Sequence, residues 1–127
     1  MPIHKLLYIE KYEAMLNGAM KYSLEFDTPN EEIIGFMSYI GKSQNCDRFY
    51  IFEDSTHGEF TSNTYEWCAP GITAEKDSLQ KVEKITLKTW YDRFAQDKAV
   101  IIQDLEDIRD TKTALYELLH RQGIKNL

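Results

Sequence analysis

The stretch Asp47–Ala69, DRFYIFEDSTHGEFTSNTYEWCA, decides the fold. Its first part, Asp47–Glu53 (DRFYIFE), is dense in aromatic and β-branched residues, the composition of a strand. Asp54-Ser55-Thr56-His57-Gly58 is turn chemistry: short polar side chains that bond their own backbone, followed by a glycine. Glu59–Ala69 returns as a second strand. Its residues alternate between two faces, with Thr61, Asn63, Tyr65 and Trp67 on one and Phe60, Ser62, Thr64, Glu66 and Cys68 on the other. Two strands across so short a turn make an antiparallel hairpin, which Pro70-Gly71 ends.

Upstream of the hairpin, Thr28-Pro29-Asn30-Glu31 fits a capping box with proline at the first helical position. Ile33, Phe36, Met37 and Ile40 follow at helical spacing, and the helix fades around Gly41–Asn45. Residues 1–28 form a separate N-terminal element, an amphipathic helix over Ile3–Tyr22, and residues 29–127 form the domain proper. Tyr8, Ile9, Tyr12, Met15, Leu16, Ala19 and Met20 share one face of that helix, while Glu10, Glu13, Asn17 and Lys21 fall away from it. A narrower series, Tyr8, Tyr12, Met15, Ala19 and Tyr22, alternates steps of four and three, the spacing of a heptad seam that Gly18 weakens. Either the face packs on its own domain or the seam pairs with another helix.

Downstream, Ile72–Thr86 is polar and irregular, with one helical turn near Asp77–Val82. Leu87, Trp90, Tyr91 and Phe94 mark an amphipathic helix, and Ala99–Gln103 (AVIIQ) reads as a buried strand. Asp104–Asp110 is an acidic loop, after which Asp110 or Thr111 caps a helix whose apolar face is Leu115, Leu118 and Leu119. Gly123 stands where a helix C-terminal glycine belongs. Helix, helix, strand, strand, helix, strand, helix is an α+β order: a mainly antiparallel sheet with helices packed on it.

Composition agrees with a folded domain. Of 127 residues 43% are hydrophobic, 28% charged and 13% aromatic, enough to build a core and too apolar for disorder. A net charge of −6 with no Lys/Arg run sets the chain against nucleic acid as a partner. The short apolar stretch Leu6–Ile9 is no secretory signal, and no run approaches the length of a membrane span. Two cysteines, Cys46 and Cys68, are too few for a disulfide framework, so both are read as reduced in a cytoplasmic protein.

The sequence holds no catalytic constellation and no metal set. His57 lies in the hairpin turn and Cys68 at the far end of the returning strand, which leaves Cys68 as a small buried hydrophobe. His4, His57 and His120 are scattered, without zinc spacing. Asp104, Glu106, Asp107 and Asp110 lack the glycine and alternating oxygens of a calcium loop and read as a solvated connector. Gly35, Gly41, Gly58 and Gly71 make no phosphate loop. Tyr65, Trp67, Trp90 and Tyr91, with Asn63 and Glu66, either line a small-molecule pocket or pack as core.

DRFYIFE, SNTYEWCAPGI, AVIIQDLEDI and RQGIKNL, in this order, resemble the GAF domains of bacterial signalling proteins, above all those found with diguanylate cyclase (GGDEF) or histidine kinase output domains. The resemblance runs from about Asn30 to Leu127 and leaves the first helix outside. It implies a non-catalytic sensory module, an antiparallel sheet with helices on one face and a pocket closed by loops and a shorter helix on the other. Asn63, Tyr65, Trp67, Trp90 and Tyr91 are the candidate ligand-binding residues, and the resemblance places Trp90 and Tyr91 on the lid side, in the pocket-closing segment Pro70–Asp97. The cofactor is left unassigned. The expected partners are a small-molecule ligand and a second copy, joined through the Ile3–Tyr22 helix or through open sheet edges. The Asn-Lys-Phe-Asp-Glu signature of the cyclic-nucleotide subclass is absent, and Cys46 and Cys68 match neither the bilin-binding cysteine nor the cysteines of the methionine-sulfoxide-reducing subclass. After a motif like QGIKNL the family continues through central strands, which lie between the Asp47–Glu53 and Ala99–Gln103 strands. The expectation is therefore a partial GAF-like fold, lacking those last strands, that is a fragment of a longer protein or has its sheet completed by a partner. Its expected role is to control an output domain by binding a small molecule, by dimerising, or both; the alternative is an assembly module without a ligand.

Overall fold

The computed structural model describes residues 3–127, with side chains from Glu10 onward. Its described residues form four α-helices and a three-stranded antiparallel sheet, an α+β arrangement. The elements are α1 (Ile3–Ser23), α2 (Pro29–Ser43), β1 (Arg48–Asp54), β2 (Phe60–Cys68), β3 (Val82–Glu83), α3 (Lys88–Phe94) and α4 (Thr113–His120). The strands stand in the order β1-β2-β3. Two compact units contain them: residues up to Glu53 with Asn63–Ser78, and Asp54–Ser62 with Leu79–Leu127.

In the first unit α2 begins as its sequence dictates. Thr28 is extended, its Oγ1 accepts the Glu31 N–H at 3.3 Å, and Pro29 occupies a position where its missing N–H costs nothing. The helix ends at Ser43 with Gln44 as its cap, and beyond it Asn45, with a φ of 55°, turns the chain so that the Cys46 N–H reaches the Gly41 carbonyl (2.9 Å), while the Asn45 N–H bonds the Lys42 carbonyl (3.2 Å). α1 lies against α2 through Met15, Gly18, Ala19 and Tyr22: Gln44 Nε2 meets Met15 Sδ at 3.1 Å, the Tyr22 ring meets Phe26 edge to face and Tyr39 at a tilt, and a Cβ on Gly18 would overlap the Tyr39 ring. Ala19 and Met37 are fully buried. The inward stripe of α1 is therefore narrower than the expected apolar face. Met15 and Ala19 point in, whereas Tyr12, Leu16 and Met20 stay exposed. The Tyr8 and Ile9 side chains fall outside the described ones. Gly18, read from sequence as a weak point of the heptad seam, leaves the room that the Tyr39 ring occupies.

The second unit is organised around Leu87, Ile102, Leu105, Leu115 and Leu119, with Trp90, Val100 and Ile124 among the side chains packed against them. β3, missed in the sequence, is two residues long and pairs Phe60 with Glu83 and Thr61 with Val82; the Lys81 N–H also bonds Ser62 Oγ at 2.9 Å. A 3-10 turn (Lys84–Leu87) leads directly into α3. The expected strand at Ala99–Gln103 does not join the sheet. Ile102 instead exchanges both backbone hydrogen bonds with Leu127 at 2.9 Å, and the Leu105 N–H reaches the Lys125 carbonyl at 2.8 Å. The apolar run is extended for the expected reason, burial of Ile102, but its backbone partner is the segment after α4. Neither Asp110 nor Thr111 caps α4. Lys112 holds the cap position without a side-chain bond. Asp104 does the capping here, accepting the Glu106 N–H (3.1 Å) at the start of a 3-10 turn (Leu105–Ile108).

α4 stops as its sequence requires. Gly123 has a φ of 72°, its N–H bonds the His120 carbonyl (3.0 Å) and the Ile124 N–H bonds the Leu119 carbonyl (3.3 Å), so Ile124 folds back on the core beside Leu119. A left-handed backbone costs an L-residue about 1–2 kcal/mol. Gly123→Val is expected to lose about that much stability in urea unfolding, with the slope of the transition unchanged.

Candidate functional site

The sequence-predicted site residues divide between the two units, and each is engaged locally. In the first unit Asn63, Tyr65 and Trp67 alternate along β2 and so share one face of it. Trp67 lies on α2 at Gly41, so closely that a Cβ on Gly41 would overlap the indole. The Tyr65 hydroxyl donates to Asn30 Oδ1 of α2 at 3.0 Å, and Asn63 is fully buried. In the second unit Trp90 is packed on the leucine core and the Tyr91 hydroxyl donates to Asp54 Oδ1 at 2.7 Å.

The opposite face of the hairpin carries a charged cluster that pattern reading missed. Arg48 Nε and Nη2 both donate to the Thr73 carbonyl (3.1 and 2.8 Å), and Arg48 pairs with Glu75 at 3.6 Å. The Glu66 carboxylate accepts the Glu75 N–H (3.0 Å to either oxygen) and the Lys76 N–H (3.2 Å). The segment after Pro70-Gly71 is thereby strapped to the strands. Tyr50 belongs to this cluster, and burial pushes its hydroxyl up to about 12, with the Arg48 guanidinium pulling the other way. Burial, then Glu66, likewise raises the Cys68 thiol, the reverse of what an activated nucleophile needs. The only advance sign was negative: Arg48 and Glu66 interrupt apolar strands.

Asp54 joins Tyr91 and Lys84 in the second unit. Lys84 Nζ bonds Asp54 Oδ2 at 3.1 Å and lies 4.2 Å from the centre of the Tyr91 ring. The Tyr91 hydrogen bond, then Lys84, lowers the Asp54 carboxyl below its ordinary 3.8. Such a group adds stability that is full above the ordinary value and is lost as pH falls through the lowered one. Tyr91→Phe is expected to cost about 1 kcal/mol at neutral pH, discounted for the 43% exposure of Asp54, and the difference from wild type should shrink below pH ~4. Urea unfolding at pH 7 and pH 3 measures both.

The exposed features of the first unit lie on the helices. Gln44, at the end of α2, is level with Met15 of α1, so residues 3–14 carry α1 about 18 Å farther. Glu10–Ala14 are all exposed, and Leu16 (44%) and Met20 (58%) continue an apolar stripe from Tyr12 at i, i+4 spacing. Beside the connection between α1 and α2, an open groove of about 320 Å³ is lined by Phe26, Asn30, Glu31, Ile34, Gly35 and Ser38. Among the described residues no group of three or more His, Cys, Asp or Glu could hold a metal ion, and no helix is long and apolar enough to cross a membrane. No family model matches this chain, and no curated protein or solved structure matches it.

Proposed function

We propose that this chain is a non-catalytic regulatory domain of the GAF type, acting in the cytoplasm in bacterial signal transduction, and that it controls an output domain by pairing with a second copy through α1. The GAF assignment is supported by the four ordered sequence segments and by an α+β fold with an antiparallel hairpin. The observation that carries the pairing is α1 itself. One side of the helix is fixed on α2 by Met15, Ala19 and Tyr22, while the other presents Leu16 and Met20 to water. Burying an apolar side chain of this size contributes about 1.5–3 kcal/mol when complete, and a twofold pair buries each residue twice. Between the ligand-sensing and assembly forms of the reading, the geometry favours assembly, because Tyr65 and Trp67 are committed to α2. A ligand would have to displace those contacts.

Sedimentation equilibrium at micromolar concentration tests the pairing. The wild-type chain is expected to be a dimer and the Leu16→Glu/Met20→Glu variant a monomer with unchanged circular dichroism. A wild-type monomer, or a variant that dimerises as tightly as wild type, overturns the reading.

A further inference from the structure

We infer that the groove beside the α1–α2 connection docks a cationic, amphipathic segment of another protein, one that seats a large apolar side chain between lysines or arginines. The groove shares no residue with the α1 stripe of Leu16 and Met20, so this surface is separate from the pairing proposed above.

The groove exists before any occupant arrives. A Cβ at Gly35 would overlap the Phe26 ring, so the glycine lets the ring lie against α2 as a wall. The Tyr22 ring meets Phe26 edge to face at 5.3 Å, and the Phe26 N–H bonds the Ser23 carbonyl at 3.3 Å. The polar lining is already engaged. The Ser38 hydroxyl donates to the Gly35 carbonyl at 2.9 Å, and Asn30 Oδ1 accepts the Tyr65 hydroxyl at 3.0 Å. Phe26 and Ile34 are left as apolar wall. At about 320 Å³ the groove is near the lower end of the roughly 300–1,000 Å³ of small-molecule pockets, and it is open to water. A small ligand would keep much of its surface wet there, whereas a polypeptide can seat one side chain and make its other contacts on the rim.

Charge selects the occupant. Glu31 lines the groove, Glu25 and Asp27 are the chain neighbours of Phe26, and all three are exposed. From Lys21 to Ile34 the chain sets four carboxylates against the one cation of Lys21. Among the described residues none of Glu25, Asp27 and Glu31 has an ion-pair partner. The complement of an apolar cleft beside unpaired carboxylates is an apolar side chain flanked by cations. A second copy does not supply it, because a twofold contact at this corner brings the same carboxylates together. Nucleic acid and anionic lipid are repelled in the same way. Exposed ion pairs add little affinity each, so the carboxylates set specificity and approach while the apolar contact holds the segment.

Fluorescence anisotropy of the full chain with a labelled peptide of repeated Lys-Leu-Leu-Lys blocks tests this. The controls are the same peptide with glutamate for lysine and with serine for leucine. The lysine–leucine peptide is expected to bind and both controls to fail. Ile34→Ser should weaken binding about tenfold by removing apolar wall. Glu25→Gln/Asp27→Asn/Glu31→Gln should also weaken it and remove most of its salt dependence. Both variants change exposed side chains, so their circular dichroism should match wild type. Failure of the lysine–leucine peptide to bind overturns the inference. So does equal binding by the serine control or by Ile34→Ser, since either result shows attraction by charge alone. Both variants should sediment as wild type does, which separates loss of docking from loss of pairing through α1.

Discussion

Gly41→Ala is expected to destabilise the protein by about 1–3 kcal/mol, against the direction of helix propensity. In the interior of a helix, alanine is ordinarily better than glycine by about 1 kcal/mol. Here the hydrogen at Gly41 faces the six-membered ring of Trp67, and a methyl group in its place overlaps the indole. An indole is flat, stiff and half-buried on β2, so relief requires α2 to lift or Trp67 to leave its rotamer. Urea unfolding of Gly41→Ala, Trp67→Leu and the double variant measures the coupling. In the Trp67→Leu background the alanine should be neutral or stabilising. If Gly41→Ala alone is as stable as wild type, the close contact of α2 with Trp67 is wrong.

Arg48→Ala is expected to cost about 2–3 kcal/mol and to free the segment 72–78 from the hairpin. The Arg48 and Glu75 side chains are only 13% and 20% exposed, so this pair is screened far less than an ordinary surface ion pair. Removing the guanidinium also strips the Thr73 carbonyl of two charge-assisted bonds and leaves Glu75 without its ion-pair partner. Arg48→Lys should rescue little, because a lysine presents no fork of two N–H groups to one carbonyl oxygen. Hydrogen exchange of the Glu75 and Lys76 amides reads the effect: both should exchange at least tenfold faster in Arg48→Ala, while amides of α4 keep wild-type protection. Unchanged protection at Glu75 and Lys76 would show that Glu66 alone holds the strap.

Much of the local structure was legible because it depends on neighbours in the chain. Thr28-Pro29 starts α2, and Gly123 ends α4, through bonds that span three to five residues. The two faces of β2 follow from the pleat alone, and the turn Asp54–Gly58 from its own chemistry. The faults have one origin. Ala99–Gln103 looked like a sheet strand because periodicity reports that a segment is extended and apolar without naming its partner, and the partner turned out to be Leu127. The two-residue β3 carries too little pattern to be seen at all.

The candidate site was less legible for the same reason. Composition showed that Tyr65, Trp67, Trp90 and Tyr91 would be aromatic walls of something, with core packing weighed above a pocket for each of them. Contact with α2 engages Tyr65 and Trp67, and the leucine core and Asp54 engage Trp90 and Tyr91. By itself the sequence determined the start of α2, the two strands and turn of the hairpin, the glycine end of α4, and an acidic charge ill suited to nucleic acid, since these are set by short-range sterics, hydrogen bonding and net charge. Only the tertiary structure decided which residues of α1 face inward, which backbone the 99–103 segment joins, and that Arg48 and Glu66 bind a strap. Each of those depends on groups far apart in the chain, whose meeting is fixed by packing rather than by any local preference.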